Sequence, residues 1–323
     1  MNTHHDHQSA IEASRLTRRY GSVVAVDGIT FAVAPGEIFG LLGPNGAGKT
    51  TTILMMLGLT EATSGSVRVL GHDPQRDPLA VKRQVGYMPD TVGFYDHLTA
   101  RENLAYTARL LDVPAAERRA RIDQALQRVR LADVAERRVA AFSRGMRQRL
   151  GLAEIVMKQA RVAILDEPTS GLDPQATEEF LELIRTLKSD GVTIMLSSHL
   201  LDHMQRICDR VALFHRGRIA LMGTVPELAQ QVLGGGHAVR LEADGEGLAE
   251  RLARVAGVTR VQTPAPRQYR LLATRDVRAE AARTVVEAGG ALLQLGMDQP
   301  SLDAIYNRFF QGRNAQEGMR DAA

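Results

Sequence analysis

The sequence predicts an α/β protein in two parts, a large parallel-sheet unit followed by a small βαββαβ unit. Three observations carry this. Short, largely apolar segments at Glu37–Leu42, Val162–Leu165 and Val192–Leu196 alternate with helical runs, as expected for strands buried on both faces of a parallel sheet. A glycine-rich loop separates the first of these strands from a helical run at Thr50–Leu57. A glycine triplet, Gly234-Gly235-Gly236, marks a change of pattern. Beyond it strands and helices recur in the order of a ferredoxin-like unit.

In chain order, residues 1–10 are expected to form a disordered tail, although His4, His5 and His7 are also residues that a soft metal would accept. Ala25–Val33 reads as a strand, closed by the turn Ala34-Pro35-Gly36. From Leu98 to about Val139 the pattern is helical, with one apolar stripe at Leu104, Leu110 and Leu111 and another at Ile122, Leu126, Val129 and Val134. This places a helical subdomain at about 90–160 within a first domain of residues 11–233. Phe180–Leu187 reads as another helix. After the triplet, strands are expected at His237–Glu242, Val258–Gln262, Gln268–Ala273 and Ala291–Leu295, and helices at Gly247–Val255 and Val277–Glu287. They form a second domain over 237–311, closed by an amphipathic helix at Ser301–Phe310. Residues 312–323 read as a loose tail.

The composition is that of an ordinary soluble chain. Hydrophobic residues are 44% and charged residues 24% of 323, and the net charge is +3. The arginines are dispersed among acids, which argues against a nucleic-acid partner. Cys208 stands alone, so no intramolecular disulfide forms, and a reducing, cytoplasmic setting fits. No segment reaches the ~18–20 apolar residues that span a bilayer, and Met1–Ser9 lacks the apolar core of a signal peptide. Membrane work would therefore need a spanning part on another chain.

The chemistry begins at Gly43-Pro44-Asn45-Gly46-Ala47-Gly48-Lys49-Thr50, a full match to the phosphate-binding loop, with Thr51 next. Glycines let successive backbone N–H groups turn inward on phosphate, and the following helix aims its positive end there. Lys49 is expected on the β- and γ-phosphates and Thr50 on Mg²⁺. Arg161–Glu167 is an apolar strand ending in two carboxylates, at the strand end where parallel sheets bind ligands. Asp166 fits a Mg²⁺ ligand, and Glu167, pointing elsewhere, a group that polarises the attacking water.

Further motifs narrow the class. Phe142-Ser143-Arg144-Gly145-Met146 precedes the acidic strand, Pro168-Thr169-Ser170-Gly171-Leu172-Asp173 follows it, and Ser197-Ser198-His199 ends the next strand. This ordered set, from about Ile11 to Leu228, resembles the signature, D-loop and switch histidine of the ABC ATPases. The implied fold is a P-loop NTPase of the ABC nucleotide-binding kind with a helical subdomain. The resemblance also implies that Tyr20, placed before the first strand, stacks on adenine. It implies ATP hydrolysis by a head-to-tail homodimer, with Ser143, Arg144 and Gly145 of one copy facing the ATP held by the other. His199 would stabilise the γ-phosphate and Asp173 would connect the two sites.

Two positions depart from the family pattern. Arg144 stands where glycine is usual, and Asp90, in Val85-Gly86-Tyr87-Met88-Pro89-Asp90, stands where the Q-loop has glutamine. Asp90 keeps an oxygen for Mg²⁺ but adds charge. Arg144 and the ending Pro300-Ser301-Leu302-Asp303 resemble ABC-2-type exporter ATPases. The reading is therefore an export motor on the cytoplasmic face of the membrane, bound to a separate permease. Phe94 and Tyr95 either touch that permease or pack on the helical subdomain. The alternative is a soluble ABC ATPase serving DNA, ribosomes or cofactor assembly. The coiled coils and zinc modules of the repair type are absent from the sequence.

Overall fold

A computed structural model describes residues 9–233, 237–297 and 301–310. Residues 1–8 and 311–323 and Gly234-Gly235-Gly236, at which the sequence suggests a linker, lie outside the described residues, as does Pro300. Ala10, expected in the disordered tail, is instead buried and donates its N–H to Val33 O at 2.8 Å. The chain divides into two compact units, Met1–Met222 and Gly223–Ala323.

The first unit runs β1 (Ile11–Tyr20), β2 (Val23–Val33), β3 (Ile38–Leu42), α1 (Lys49–Met56), β4 (Ser64–Val69), α2 (Pro78–Gln84) and β5 (Val85–Met88). It continues through α3 (Ala100–Leu110), α4 (Ala115–Arg128), α5 (Arg144–Lys158), β6 (Val162–Asp166), α6 (Pro174–Ser189), β7 (Thr193–Ser198), α7 (Leu201–Ile207), β8 (Arg210–His215) and β9 (Arg218–Gly223). Its six-stranded sheet has the order β5-β6-β7-β3-β8-β9. The pairs β5–β6, β6–β7, β3–β7 and β3–β8 are parallel. Every residue of β3, β6 and β7 is buried, which is why these strands read as apolar runs rather than alternations. A three-stranded antiparallel sheet, β2-β1-β4, shares one core with them through Leu16, Val26, Phe39, Ile53 and Phe214. Truncating a side chain of that size to alanine in such a core costs about 2–5 kcal/mol.

Two expectations are corrected. Tyr20 does not precede the first strand but ends it, because Ile11–Tyr20 is itself β1. A register shift between Ala13 and Leu16, with Arg15 at φ 45°, breaks the alternation that would have revealed the strand. The helical stretch Leu98–Val139 is two helices and two short 3₁₀ turns, at Ala132–Val134 and Val139–Ala141. Pro114, which has no N–H, stands as the N-cap of α4 and separates it from α3.

The second unit opens with α8 (Val225–Leu233). It continues with β10 (His237–Asp244), α9 (Leu248–Ala253), β11 (Val258–Ala265), β12 (Gln268–Ala273), α10 (Arg278–Glu287) and β13 (Ala291–Met297). Its sheet is antiparallel in the order β11-β12-β10-β13, the arrangement of a ferredoxin-like βαββαβ unit. Val239, Leu241, Leu252, Leu271, Val277 and Val285 form its core. A final helix covers 302–310.

Candidate functional site

The site sits where the parallel strands end. The loop between β3 and α1 is drawn tight by two glycines. A Cβ on Gly43 would lie 2.5 Å from the Phe214 carbonyl oxygen, and one on Gly48 would lie 2.6 Å from that of Ala25. Gly48 also holds φ 105°, a conformation glycine adopts without strain. Gly217 N donates to Ala47 O at 3.0 Å, which ties the loop to the β8–β9 turn. The loop curls around Lys49, whose buried Nζ donates to Gly43 O at 2.6 Å and to Pro44 O at 3.3 Å.

The two carboxylates at the end of β6 do diverge. Glu167 holds φ 48°, a left-handed conformation costing roughly 1–3 kcal/mol for a non-glycine residue. That turn sends Asp166 and Glu167 to different partners. Asp166 is buried and accepts the Ser197 hydroxyl. Ser197 Oγ also accepts the Glu167 backbone N–H at 3.0 Å. Glu167 places Oε1 3.3 Å from Lys49 Nζ and Oε2 2.9 Å from His199 Nδ1. Glu167 Oε1 is buried, and although Lys49 lies within ion-pair distance, no donor is aligned to it as a hydrogen bond.

Pro44, Asn45, Gly46, Ala47, Gly48, Lys49, Thr50, Thr51, Asp90, Asp166 and Glu167 line one cavity of about 360 Å³ together with Ala25. The residues expected from sequence at phosphate and Mg²⁺ thus line one cavity, Asp90 among them, except Gly43, which instead accepts from Lys49 through its carbonyl. Tyr87, on β5 below Asp90, has its hydroxyl pushed up to about 12 by burial and then by the charge of Asp166. Tyr20 does not line this cavity. Its half-exposed ring carries the Arg18 guanidinium 4.4 Å from its centre, and its hydroxyl lies 3.5 Å from Thr60 Oγ1.

Ser143, Arg144, Gly145 and Asp173 line a second cavity of about 280 Å³, with Arg149, Gly171 and Glu179. Ser143 caps α5 by accepting from Met146 N at 3.2 Å, and Asp173 caps α6 by accepting from Ala176 N at 2.9 Å. No residue is common to the linings of the two cavities.

Sequence reasoning missed Ser197, which organises both carboxylates, and Ala25, against which Gly48 packs. Ser197 belonged to a quoted motif, but nothing local marks its hydroxyl as the partner of Asp166, 31 residues away. Arg149 and Glu179 were also missed. They form an ion pair at 3.8 Å across α5 and α6 that only the packing reveals.

A profile of the ABC transporter family matches residues 26–170. The chain is 35% identical over 303 residues to the daunorubicin resistance ATP-binding protein DrrA3 of Streptomyces coeruleorubidus, covering 92% of this chain and 95% of that one. It is 39% identical over 227 residues to the Nod factor export ATP-binding protein I of Paraburkholderia xenovorans (strain LB400), covering 70% and 75%. Among solved structures, an ATP-binding subunit of an ABC transporter superposes with a TM-score of 0.63 at 33% identity, covering 69% of this chain and 93% of that one.

Proposed function

Because the chain belongs to the ABC transporter ATP-binding subunits, which hydrolyse ATP, we propose that it is the motor of an ABC-2-type export transporter, working as a head-to-tail homodimer around two ATP molecules. The observation that carries this is the pair of separate half-sites on one chain. One is a glycine-rich loop of backbone donors, anchored by buried Gly48 and Lys49, with Asp166 and Glu167. The other is the end of a helix with exposed Ser143 and Arg144. Set head to tail, two copies bring each half-site against its complement. ATP then holds the pair together, and hydrolysis releases it.

In this reading the loop from Gly43 to Thr51 binds the phosphates, with Lys49 on the β- and γ-oxygens. Tyr20 offers its ring to adenine. Ser143, Arg144 and Gly145 reach the ATP of the other copy, and Asp173 lies between the sites. Thr50, Asp166 and Asp90 supply the hard oxygen ligands that suit Mg²⁺, which would neutralise phosphate charge when bound. Glu167 orients the attacking water and takes its proton as the general base. His199, held by Glu167, steadies the charge that develops on the γ-phosphate.

Among the described residues no helix is long and apolar enough to cross a membrane. In this reading the transport path is formed by a separate permease, as for the transporter ATP-binding subunits the chain resembles. The subunit would sit on its cytoplasmic face. Tyr95 fits the contact with that permease. Its ring is exposed and meets Tyr106 edge-on at 5.0 Å, while buried Asn103 clamps its backbone through bonds of 2.9 and 3.1 Å. Phe94 beside it is half-buried and serves as much for packing. Export is supported by the relatives named for resistance and export, and these favour the transporter over the soluble alternative.

The test compares the purified wild type with Glu167→Gln, following phosphate release and light scattering. The variant should hydrolyse ATP on the order of 10²–10⁴-fold more slowly and accumulate as an ATP-bound dimer. A variant as fast as wild type removes the proposed role of Glu167. If neither protein dimerises with ATP, the sandwich reading fails.

A further inference from the structure

The two departures from the family pattern meet in the fold. Arg144 Nη2 lies 3.6 Å from Asp90 Oδ1 of the same chain. Asp90 lines the phosphate cavity and Arg144 the signature cavity, so this ion pair joins the two half-sites of one subunit. It has company. Gln148 Nε2 donates to Asp90 O at 3.4 Å, and Arg147 pairs with Asp96 at 2.7 Å. The Arg144 guanidinium also lies against Gly171, where a Cβ would meet its Cζ at 3.1 Å. One side chain therefore touches the segment after β5 and the turn before α6 from its own place at the start of α5.

The electrostatics explain why such a pair is needed. The first turn of α5 contains no acidic residue, yet a helix N-terminus carries positive partial charge. Arg144 and Arg147 add more. Asp90 and Asp96 supply the missing negative charge from outside the helix. Seen from the other cavity, Asp90 puts a carboxylate beside a loop shaped for phosphate, and an uncompensated carboxylate there would repel the ligand. Resting on the reading of that cavity as the ATP phosphate site, we propose that Asp90 and Arg144 are a matched pair, Arg144 being the counter-charge that lets a carboxylate stand at the phosphate cavity without loss of ATP affinity. Arg144 is then a positioning residue within its own chain, in addition to facing the ATP of the partner.

The test is a double-mutant cycle on nucleotide affinity in the full chain, with wild type, Asp90→Asn, Arg144→Gly and the double variant. The dissociation constant of a fluorescent ATP analogue is measured at protein concentrations that keep the subunit monomeric. It is measured in EDTA, where no metal masks Asp90, and again with Mg²⁺. In EDTA, Arg144→Gly should weaken binding roughly three- to five-fold when Asp90 is present and by less than about 1.5-fold in the Asp90→Asn background. Arg144→Lys, which keeps the charge, should retain the wild-type affinity within about two-fold. The loss in Arg144→Gly should shrink as salt is raised. Equal weakening in both backgrounds, or none in either, overturns the pairing. If wild type fails to bind the analogue at all, the phosphate reading of the cavity falls with it. Binding without coupling removes the pair alone.

Discussion

The phosphate cavity and the signature cavity are built on opposite physical plans. The first is anchored by buried chain locked by its own contacts, with Pro44, Asn45, Gly46 and Thr50 exposed at its rim. Gly43 and Gly48 abut backbone carbonyls at 2.5 and 2.6 Å, Lys49 is buried under the loop, and Ser197 pins Asp166. The second is made of exposed ends. Ser143, Arg144 and Asp173 are at least partly open to solvent, and their order comes from helix caps and half-exposed ion pairs, interactions worth about 1 kcal/mol each or less. A site preorganised in the monomer can hold a ligand before anything else binds. A site built from open helix ends gains most of its energy only when a second surface closes on it and excludes water.

Four substitutions sharpen or break this comparison. The largest effect is expected from Lys49→Ala. It removes the buried cation of the phosphate cavity and should lower ATP hydrolysis on the order of 10²-fold or more, read as phosphate release at saturating ATP. Next comes Gly48→Ala. Its methyl group would press on Ala25 O from a left-handed backbone, so strain of roughly 1–3 kcal/mol should appear as weaker nucleotide binding. Wild-type affinity in this variant would show that the loop is looser than its contacts imply. Ser143→Ala acts on the other plan. It should cost about 1 kcal/mol of α5 stability and lower ATP-driven dimerisation while leaving monomer affinity for nucleotide unchanged. A loss of monomer affinity would erase the distinction between the half-sites.

The smallest effect lies at Glu154 on α5, which lines neither cavity. Burial holds the Glu154 carboxyl above its ordinary range, opposed by the Thr107 hydroxyl, which donates to it at 2.7 Å, and by Lys158. The native state therefore binds this proton more tightly than the unfolded chain does. The stabilising contribution is full below about pH 4.3, the unfolded value, and is lost as pH rises toward the folded value. Glu154→Gln should match wild type in thermal midpoint below about pH 4 and exceed it at about pH 8. A variant less stable than wild type at the higher pH would show that the charge of Glu154 is used.

The fold was legible wherever its determinants were contiguous. The phosphate loop, the acidic strand ending at Asp166 and Glu167, and the βαββαβ order of the second unit all follow from runs of neighbouring residues, because strand burial and glycine turns act locally. The strand at Ile11–Tyr20 was hidden because a bulge at Arg15 shifts its alternation. The break before α4 was visible in principle at Pro114, but the apolar stripes on either side obscured it.

What the sequence determined by itself is the inventory of chemical groups: backbone donors for phosphate, two carboxylates at a strand end, a switch histidine, and the unusual charges of Asp90 and Arg144. What only the tertiary structure decided is who meets whom. Ser197 reaches back to Asp166 because β6 and β7 are parallel neighbours, pairing Asp166 with Ser197 itself. Glu167 turns to Lys49 and His199 because its backbone is held left-handed. Asp90 finds Arg144 because α5 begins beside the segment after β5. Such pairings depend on distance in space, and no local property of either residue encodes its partner.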